Sequence, residues 1–343
     1  VAYRDNLNSH RTYQYLATTD AETLASRRHA HSRKWLQKYK GALRPSERKF
    51  LNHHSNANED PFPVFYLTLK VHKTPLKTRP IVSTSGSLLY GLGVWIDDKL
   101  QQIATVQKSY FKSSFDLKTE LVARQLPPNA RFFSADAVAM YTNIPTARAL
   151  SEIAHYIRAN TRRFAEVPDD ALITALSLLM TNSVFTFGDT TWKQNSGTSM
   201  GTPPAPPYAN LYCAIFEDPI ISSYPEIDLW RRFIDDELGI WLHHNDPAID
   251  AQRWQSYQND MNARFGGLQW TFSPRSSTID FMDLTIRIDD DRLHTSLYEK
   301  PSNLHLYIPP RFCHPPGLVR GIVLGMIYRI HSLCSDKDDV RNR

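Results

Sequence analysis

The sequence has 343 residues, enough for two or three compact units, and its 41% hydrophobic content excludes a wholly disordered chain. Three scattered cysteines exclude a disulfide framework, and no apolar run reaches the ~20 residues of a membrane span. The net charge of +5 is uneven, because residues 1–125 carry 20 basic against 10 acidic side chains and residues 126–343 carry 20 against 25. The basic first part is typical either of a solvated face or of phosphate contact, and the acidic second part suits metal binding.

The predicted elements mix helices and strands without a regular βαβ rhythm, which favours the α+β class. A basic helical region covers residues 21–49, with a break near Gly41 and Pro45, and a polar loop follows over residues 52–63. The remaining predictions, in chain order, are strands over 64–71 and 77–83, a helix over 88–106, a strand over 130–135, helices over 146–160 and 169–182, a hairpin of 184–187 with 190–194, a helix over 208–217, a hairpin over 230–241, a strand over 279–288 and a helix over 320–333.

Three aspartates stand in apolar surroundings. Asp136 ends a predicted strand after Phe132 and Phe133, and Asp235 and Asp236 form the predicted tip of the 230–241 hairpin. An aspartate in a mostly apolar strand is costly unless it is paired or bound to a cation. Mg²⁺ prefers carboxylate oxygens and keeps positions open for phosphate, so these residues are candidates for a magnesium site.

An Asp-Asp pair is weak evidence alone, and the chain contains its own comparison. Asp97 and Asp98 follow Trp95-Ile96 in nearly the same local pattern, but they fall within a predicted helix. Paired acids on a helix are most often solvated surface residues, so this second pair is not predicted to be functional.

Order and spacing add weight to Asp136, Asp235 and Asp236. The relevant segments are FYLTLKVHK (65–73), LKTRPIVS (76–83), DAVAMYTNIP (136–145), QNSGTSMGTP (194–203), FIDD (233–236), WTF (270–272) with IDFMDL (279–284), and YEKPSN (298–303) with HP (314–315). In this order they resemble the motifs of reverse transcriptases, most closely those of the Penelope-like retroelement type. The resemblance covers roughly residues 62–330.

The resemblance implies a right-hand polymerase of the α+β class, with fingers, an antiparallel-sheet palm and a partial helical thumb. The implied division is a basic N-terminal helical region over 1–60, fingers over 61–129, a palm over 130–290 that includes fingers and palm helices at 145–182, and a thumb with a C-terminal helix over 291–343.

The resemblance also implies a role for each matching residue. Asp136, Asp235 and Asp236 would be the catalytic, metal-binding carboxylates. The nucleotide would be bound by Lys70, Lys73, Arg79, Tyr141, Gln194 and Gly197, and the template and primer by Met200, Gly201, Phe281 and Lys300. A guanidinium suits bidentate phosphate contact, and a lysine adds a mobile point charge.

Tyr141 separates two kinds of templated polymerase. It lies five residues after Asp136, where reverse transcriptases place an aromatic side chain that blocks a 2′-hydroxyl group. RNA-dependent RNA polymerases place an acidic residue there. An aromatic ring offers bulk rather than a hydrogen-bond acceptor, so the resemblance implies a preference for dNTPs; the alternative is a core aromatic residue.

The implied function is RNA-directed DNA polymerisation by a two-metal mechanism, in which a primer 3′-hydroxyl attacks a dNTP. The implied cofactor is Mg²⁺, two ions, with Mn²⁺ as a substitute, and the implied partners are an RNA template, a DNA primer and dNTPs. We expect an intracellular protein, acting in the nucleus if the resemblance holds. Two alternatives stay open at this point: a catalytically silent or domesticated nucleic-acid-binding derivative, and a telomerase-like or other RNA-templated polymerase.

Overall fold

The computed structural model describes residues 7, 12–56, 61–70, 75–289, 292–300, 308 and 313–341. Its strands are β1 (Tyr13–Leu16), β2 (Val64–Lys70), β3 (Lys77–Ser83), β4 (Ala130–Ala137), β5 (Val184–Phe187), β6 (Thr190–Gln194), β7 (Ile227–Phe233), β8 (Asp236–Leu242), β9 (Trp270–Phe272), β10 (Thr278–Phe281), β11 (Leu284–Asp289) and β12 (Arg292–Leu297). Its helices are α1 (Thr18–Tyr39), α2 (Pro45–Asn56), α3 (Tyr90–Ala104), α4 (Ser114–Val122), α5 (Met140–Asn143), α6 (Thr146–Ala159), α7 (Asp169–Thr181), α8 (Ala205–Ile221), α9 (Pro247–Arg264), α10 (Leu318–Leu333) and α11 (Lys337–Arg341).

The chain forms two compact units, each assembled from separate stretches of sequence. The first comprises residues 1–108, 137–220 and 259–270, and the second comprises residues 109–136, 221–258 and 271–343. The division into N-terminal region, fingers, palm and thumb stays a prediction.

The first unit contains a five-stranded sheet in the order β1-β6-β5-β2-β3. The β5–β6 hairpin was predicted with these bounds, and β2 and β3 were predicted as two strands whose pairing was not predicted; the described part of β2 ends at Lys70. Phe65 of β2 stacks on Phe185 of β5 with ring centroids 5.1 Å apart, and both rings are buried. This aromatic contact fixes the β2–β3 hairpin on the sheet, because opposite faces of a strand alternate and only one face of β2 is buried.

The first unit also contains departures from the predicted elements. Strand β1 was not predicted; it pairs antiparallel with β6, Tyr13 opposite Gln194, because its aromatic side chains pack on the sheet. The basic region is two helices, as the break predicted, and α2 begins at Pro45, whose missing N–H is tolerated at a helix start. The polar loop prediction was wrong for residues 52–56, which continue α2.

Helix α8 begins earlier than its sequence indicates. The prolines at 203–207 predicted an irregular segment up to residue 207, but α8 begins at Ala205. A proline in the first turn of a helix loses no hydrogen bond, because the N–H groups there have no partner within the helix.

The second unit contains a four-stranded sheet in the order β7-β8-β4-β9 and a three-stranded sheet in the order β10-β11-β12. Its apolar core includes Phe132 of β4, Leu238 and Ile240 of β8, and Leu284 of β11, all fully buried. Gly239 stands opposite Phe133, and a Cβ atom there would overlap the phenylalanine ring. The glycine therefore lets β4 and β8 pair closely just behind the ends of these strands.

The second unit corrects the sequence prediction at two hairpins. The predicted single strand over 279–288 is the pair β10 and β11, which are joined by the two residues Met282 and Asp283. The β7–β8 turn consists of Ile234 and Asp235, one residue earlier than the predicted Asp235-Asp236 tip. Alternation alone does not locate a two-residue turn to the residue, because residues on both sides of it have similar apolar neighbours.

Within the described part of the chain, no helix is both long enough and apolar enough to cross a membrane.

Candidate active site

The three predicted carboxylates come from two neighbouring strands and the turn between β7 and β8. Asp136 of β4 is directly opposite Asp236 of β8 in the antiparallel register. Phe233 pairs with Asp236 and closes the hairpin, so Asp235 lies in the turn next to them. Directly opposed residues of antiparallel strands have Cβ atoms roughly 4.5–5.5 Å apart. The second unit therefore brings Asp136, Asp235 and Asp236 together, as the sequence predicted.

The turn that carries Asp235 has an unusual backbone conformation. Ile234, the first of its two central residues, has φ of 58°. A positive φ at the first central position is a feature of type II′ turns, in which glycine usually occupies it. A β-branched residue there is strained, and such strain persists only where the surrounding structure imposes it. The position of Asp235 is thus fixed by a turn that isoleucine does not favour.

The charges of the three carboxylates are coupled. The pKa of Asp236 is raised to about 6, first by partial loss of water around its carboxyl group, then by the negative charges of Asp235 and Asp136. Lys300 acts in the opposite direction and lowers it. Asp236 is nevertheless exposed, so one side of the group faces solvent while protein atoms crowd the others. The arrangement stores like-charge repulsion that a bound cation would relieve.

The carboxylates suit an open magnesium site better than a closed metal cage. Among the described residues, no group of three or more His, Cys, Asp or Glu side chains is arranged so that it could hold a metal ion by itself. Mg²⁺ does not require such a cage, because it is commonly held by one or two carboxylates together with substrate phosphates and water. The observation that fits is the strand register, which sets Asp136 directly opposite Asp236 beside the turn that holds Asp235.

Lys300 was predicted to contact the template or primer, and it lies near enough to Asp236 for their charges to interact. It also lines a cavity of about 370 Å³, whose other charged lining residues are Asp283, Glu299 and Arg329. Its ammonium group is therefore a candidate contact for a phosphate close to the carboxylates. Phe281, by contrast, is only 4% exposed and packs on Phe111, so its ring belongs to the core of the second unit.

The β2–β3 hairpin of the first unit presents a basic face. Antiparallel pairing sets Lys70 opposite Lys77 and Thr68 opposite Arg79, and alternation puts these four side chains on one face. Like charges directly opposite each other are unfavourable. Among the described residues, neither lysine nor Arg79 forms an ion pair with a carboxylate, so this face is suited to an anion. Lys73, also predicted to bind the nucleotide, lies outside the described residues.

The loop after β6 contacts Tyr141 through its backbone. Gly197 has φ of 74°, and a Cβ atom on it would overlap the carbonyl oxygen of Tyr141. The next residue, Thr198, donates its backbone N–H to the same oxygen at 2.6 Å. Two predicted nucleotide-binding residues, Tyr141 and Gly197, are thus brought together within the first unit, and only glycine fits this approach.

Gln194 is buried and braces the same loop. Its amide nitrogen donates to the carbonyl of Ser196 at 2.8 Å, and its amide oxygen accepts from the Ser199 hydroxyl at 2.6 Å. The side chain therefore shapes the loop, and its burial leaves it 4% exposed rather than open to a nucleotide.

Met200 and Gly201 join this loop to the β2–β3 hairpin. The carbonyl of Met200 accepts from the N–H of Val82 at 2.7 Å, and the carbonyl of Gly201 accepts from the Thr84 hydroxyl at 2.9 Å. These contacts couple the loop to the strand that carries Arg79. The predicted template contacts of both residues stay predictions.

Sequence reasoning missed two buried charges behind the aspartates, Arg232 and Glu237. They occupy directly opposed positions on β7 and β8, and both are buried. The signal was present in the alternation, because Arg232 and Glu237 take inward positions in strands that are otherwise apolar on that face.

The fold was compared with known proteins. No family model and no curated protein matches the sequence. Solved structures match by fold: a telomerase from Candida tropicalis in complex with a fragment of telomeric RNA has a TM-score of 0.51 at 10% identity, over 82% of this chain and 51% of the telomerase chain. A structure of the RNA polymerase complex inside a double-stranded RNA virus also has a TM-score of 0.51, at 11% identity, over 79% of this chain and 26% of the other.

These matches establish the fold. The chain has the mixed α/β, antiparallel-sheet fold of these polymerases, which confirms the fold class predicted from the sequence. The chain spans about half the length of the telomerase chain and about a quarter of the viral one.

Proposed function

We propose that this chain is a nucleic-acid polymerase, and specifically an RNA-directed DNA polymerase of a retroelement, most similar to the Penelope-like type. It would extend a primer 3′-hydroxyl group with dNTPs on an RNA template. The observation that carries the proposal is the direct pairing of Asp136 with Asp236 beside the turn that holds Asp235. The shared polymerase fold supports the same proposal, and the sequence motifs supply its retroelement type.

The candidate residues would have three separate roles. Asp136 and Asp235, with Asp236 beside them, would hold Mg²⁺, which when bound supplies charge stabilisation for the attacking and leaving oxygens. Arg79 and Lys70 would bind the phosphates of the incoming nucleotide through the basic face of the β2–β3 hairpin. Tyr141 would exclude a 2′-hydroxyl group and so select dNTPs.

A primer-extension assay tests the proposal. The intact chain is given poly(rA) with an oligo(dT) primer, dTTP, and Mg²⁺ or Mn²⁺. Asp235→Ala removes a carboxylate from the site, and Asp97→Asn is the matched control because Asp97 lies in a similar local sequence within α3. We expect extension by the intact chain and by Asp97→Asn, and none by Asp235→Ala.

Other outcomes identify the alternatives. Retained binding of the primer–template without extension by the intact chain would favour a silent nucleic-acid-binding derivative. Preference for rNTPs would favour an RNA polymerase. A requirement for one dedicated RNA would favour a telomerase-like enzyme, which the fold match with the Candida tropicalis telomerase makes a specific second candidate.

A further inference from the structure

A buried ion pair lies directly behind the turn that carries Asp235. Arg232 is 3% exposed and Glu237 is 0% exposed, and the two are directly opposed on β7 and β8. Their Nε and Oε1 atoms are 4.0 Å apart. Because side chains alternate along a strand, Glu237 points to the face opposite that of Asp236, its neighbour in the chain.

Stability does not explain this pair. Removing two charges from water is costly, and replacement of a buried ion pair by apolar residues of similar volume is often neutral or stabilising. The surroundings are suited to apolar residues, since Trp230 of β7 and Trp241 of β8, which alternation puts on the same face as the pair, are both buried. The pair therefore calls for a reason other than the free energy of folding.

The contacts of Arg232 provide that reason. Its Nη1 atom donates to the carbonyl oxygen of Ile234 at 3.2 Å, and Ile234 is the strained residue of the turn with φ of 58°. Its backbone N–H donates to the carbonyl of Ser109 at 2.8 Å, which ties β7 to the segment before α4. One guanidinium thus donates to the turn and lies at ion-pair distance from Glu237, the residue that follows the paired aspartates.

The geometry of these contacts extends to both aspartates. Asp235 follows the carbonyl that Arg232 holds, and Asp236 precedes the glutamate that Arg232 faces. A shift of the guanidinium would change the backbone on both sides of the two carboxylates. Outer residues of this kind commonly orient the groups that bind a metal.

We propose that Arg232 and Glu237 are a positioning pair that holds the Ile234–Asp235 turn, and with it Asp235 and Asp236, in the geometry required to bind a divalent cation. The proposal rests on the proposed polymerase function. It adds that this function depends on two residues that touch neither nucleotide nor primer.

The test compares two ion pairs carried by adjacent residues of β7. The double variant Arg232→Met with Glu237→Leu replaces the buried pair by apolar side chains. The double variant Arg231→Met with Glu120→Leu is the matched control, because Arg231 forms a two-pronged pair with Glu120 at 2.8 and 2.5 Å on the face of β7 opposite that of Arg232. Each protein is measured for its melting temperature, for Mn²⁺ affinity without nucleic acid by electron paramagnetic resonance, and for kcat and KM in primer extension.

We expect the Arg232/Glu237 variant to stay folded, to lose ~10-fold or more in Mn²⁺ affinity and ~10–100-fold in kcat, and to keep a nearly unchanged KM for dTTP. The control variant should lose neither Mn²⁺ affinity nor kcat. A folded Arg232/Glu237 variant with the Mn²⁺ affinity of the intact chain would overturn the proposal, and so would equal losses in the two double variants.

Two further arms keep the test decisive. If the double variant does not fold, Arg232→Lys replaces it, because lysine keeps the charge but lacks the fork that reaches both Glu237 and Ile234; unchanged Mn²⁺ affinity in folded Arg232→Lys would overturn the proposal. If the intact chain does not extend primers, the polymerase proposal fails separately. The Mn²⁺ affinity of the Arg232/Glu237 variant, compared with that of the intact chain and of Asp235→Ala, which lacks a ligand, still decides whether the pair positions the carboxylates.

Discussion

Asp136 and Asp236 stand directly opposite one another on β4 and β8, and the charge of the first raises the pKa of the second. The carboxylates of these two aspartates would push β4 and β8 apart at this point if nothing opposed their repulsion. The sheet tolerates the pair because the strands are fixed further back, where Phe133 packs over Gly239 and the side chains of Leu238 and Ile240 are fully buried. The folded chain thus holds an unfavourable arrangement of charges that is available for binding.

The first prediction concerns stability and pH. The folded-state pKa of Asp236 is about 6, above its ordinary value of 3.8, so the folded chain holds a proton that the unfolded chain releases. Stability is therefore lost as the pH rises from about 4 to about 6, and the full penalty remains above that range. Asp236→Asn removes the penalty, and we expect it to raise the melting temperature at pH 7.5 by roughly 1–3 °C, a small value because the side chain is exposed.

Calorimetry at pH 4 and pH 7.5 checks this. The gain should be much smaller at pH 4, where Asp236 is protonated in the folded chain and only partly ionised in the unfolded chain, and Mg²⁺ should reduce the gain at pH 7.5 by stabilising the intact chain. Equal melting temperatures of the two proteins at pH 7.5 would contradict the carboxylate repulsion.

The second prediction concerns the loop after β6. Gly197→Ala would place a Cβ atom against the Tyr141 carbonyl at a φ of 74°, whereas Gly188→Ala in the β5–β6 turn has a φ of 60° but open space around it. Both variants carry the cost of a left-handed conformation, about 1 kcal/mol. Only Gly197→Ala must also displace backbone, so we expect it to lower the free energy of unfolding by ~3 kcal/mol or more.

Urea denaturation of the two variants measures the difference. The loss of unfolding free energy in Gly188→Ala measures the effect of the left-handed backbone conformation alone. Similar losses in the two variants would show that the contact between Gly197 and Tyr141 is not held tightly.

The sequence predicted the β5–β6 hairpin well because the information for it is local. The turn residues Gly188 and Asp189 and the alternating strands around them define β5 and β6 to the residue. Asp136 and Asp236 are 100 residues apart in the sequence, so no local sequence pattern predicts that they pair. Their proximity followed only from the order of the motifs, which is why the aspartates were predicted to meet while the register between them was not.

Other features could not be predicted because tertiary packing decides them. Strand β1 has only four residues, and it forms because β6 offers an edge with Trp192 against Tyr15. The burial of Phe281 and Gln194 likewise depends on what packs over them, and a motif match cannot distinguish a ring that lines a site from one beneath it. Asp97 and Asp98 lie on α3, as the sequence indicated; Asp98 is exposed and pairs with Lys99 at 2.9 Å, whereas Asp97 is half-buried rather than fully solvated.

The third prediction concerns sugar selection. Tyr141 holds its loop through its backbone carbonyl, so a change of side chain leaves that hydrogen bond to Thr198 in place. If the ring blocks a 2′-hydroxyl group, Tyr141→Ala should raise the use of rNTPs relative to dNTPs by roughly 10–200-fold, the range expected for a steric contact. Tyr141→Phe keeps the bulk and should leave the ratio unchanged. Single-nucleotide incorporation gives the ratio of kcat/KM values, and an unchanged ratio in Tyr141→Ala would mean that the ring is only a packing residue.

The fourth prediction concerns the basic face of the β2–β3 hairpin. Lys70, Lys77 and Arg79 are held on one face by the strand register, so their charges add at the same place. If this face binds the triphosphate, Arg79→Ala should raise the KM for dTTP by ~10-fold or more with a smaller change in kcat, because binding is lost in the ground state and the transition state alike. Added salt should weaken nucleotide binding less in Arg79→Ala than in the intact chain, since one phosphate contact has been removed.

Lys112→Ala is the matched control for Arg79→Ala, because Lys112 is an exposed cation of the other unit. Its KM and its salt dependence should equal those of the intact chain. Equal effects of the two variants would mean that the basic face acts only through the overall charge of the protein. An effect confined to Arg79→Ala, with folding unchanged by circular dichroism, would instead require a contact at that position. The strand register leads to a further expectation, because Lys70 and Lys77 lie opposite each other on the same face as Arg79. Lys70→Ala and Lys77→Ala should each raise the KM for dTTP, but by less than Arg79→Ala does. The reason is that a lysine lacks the bidentate geometry of a guanidinium.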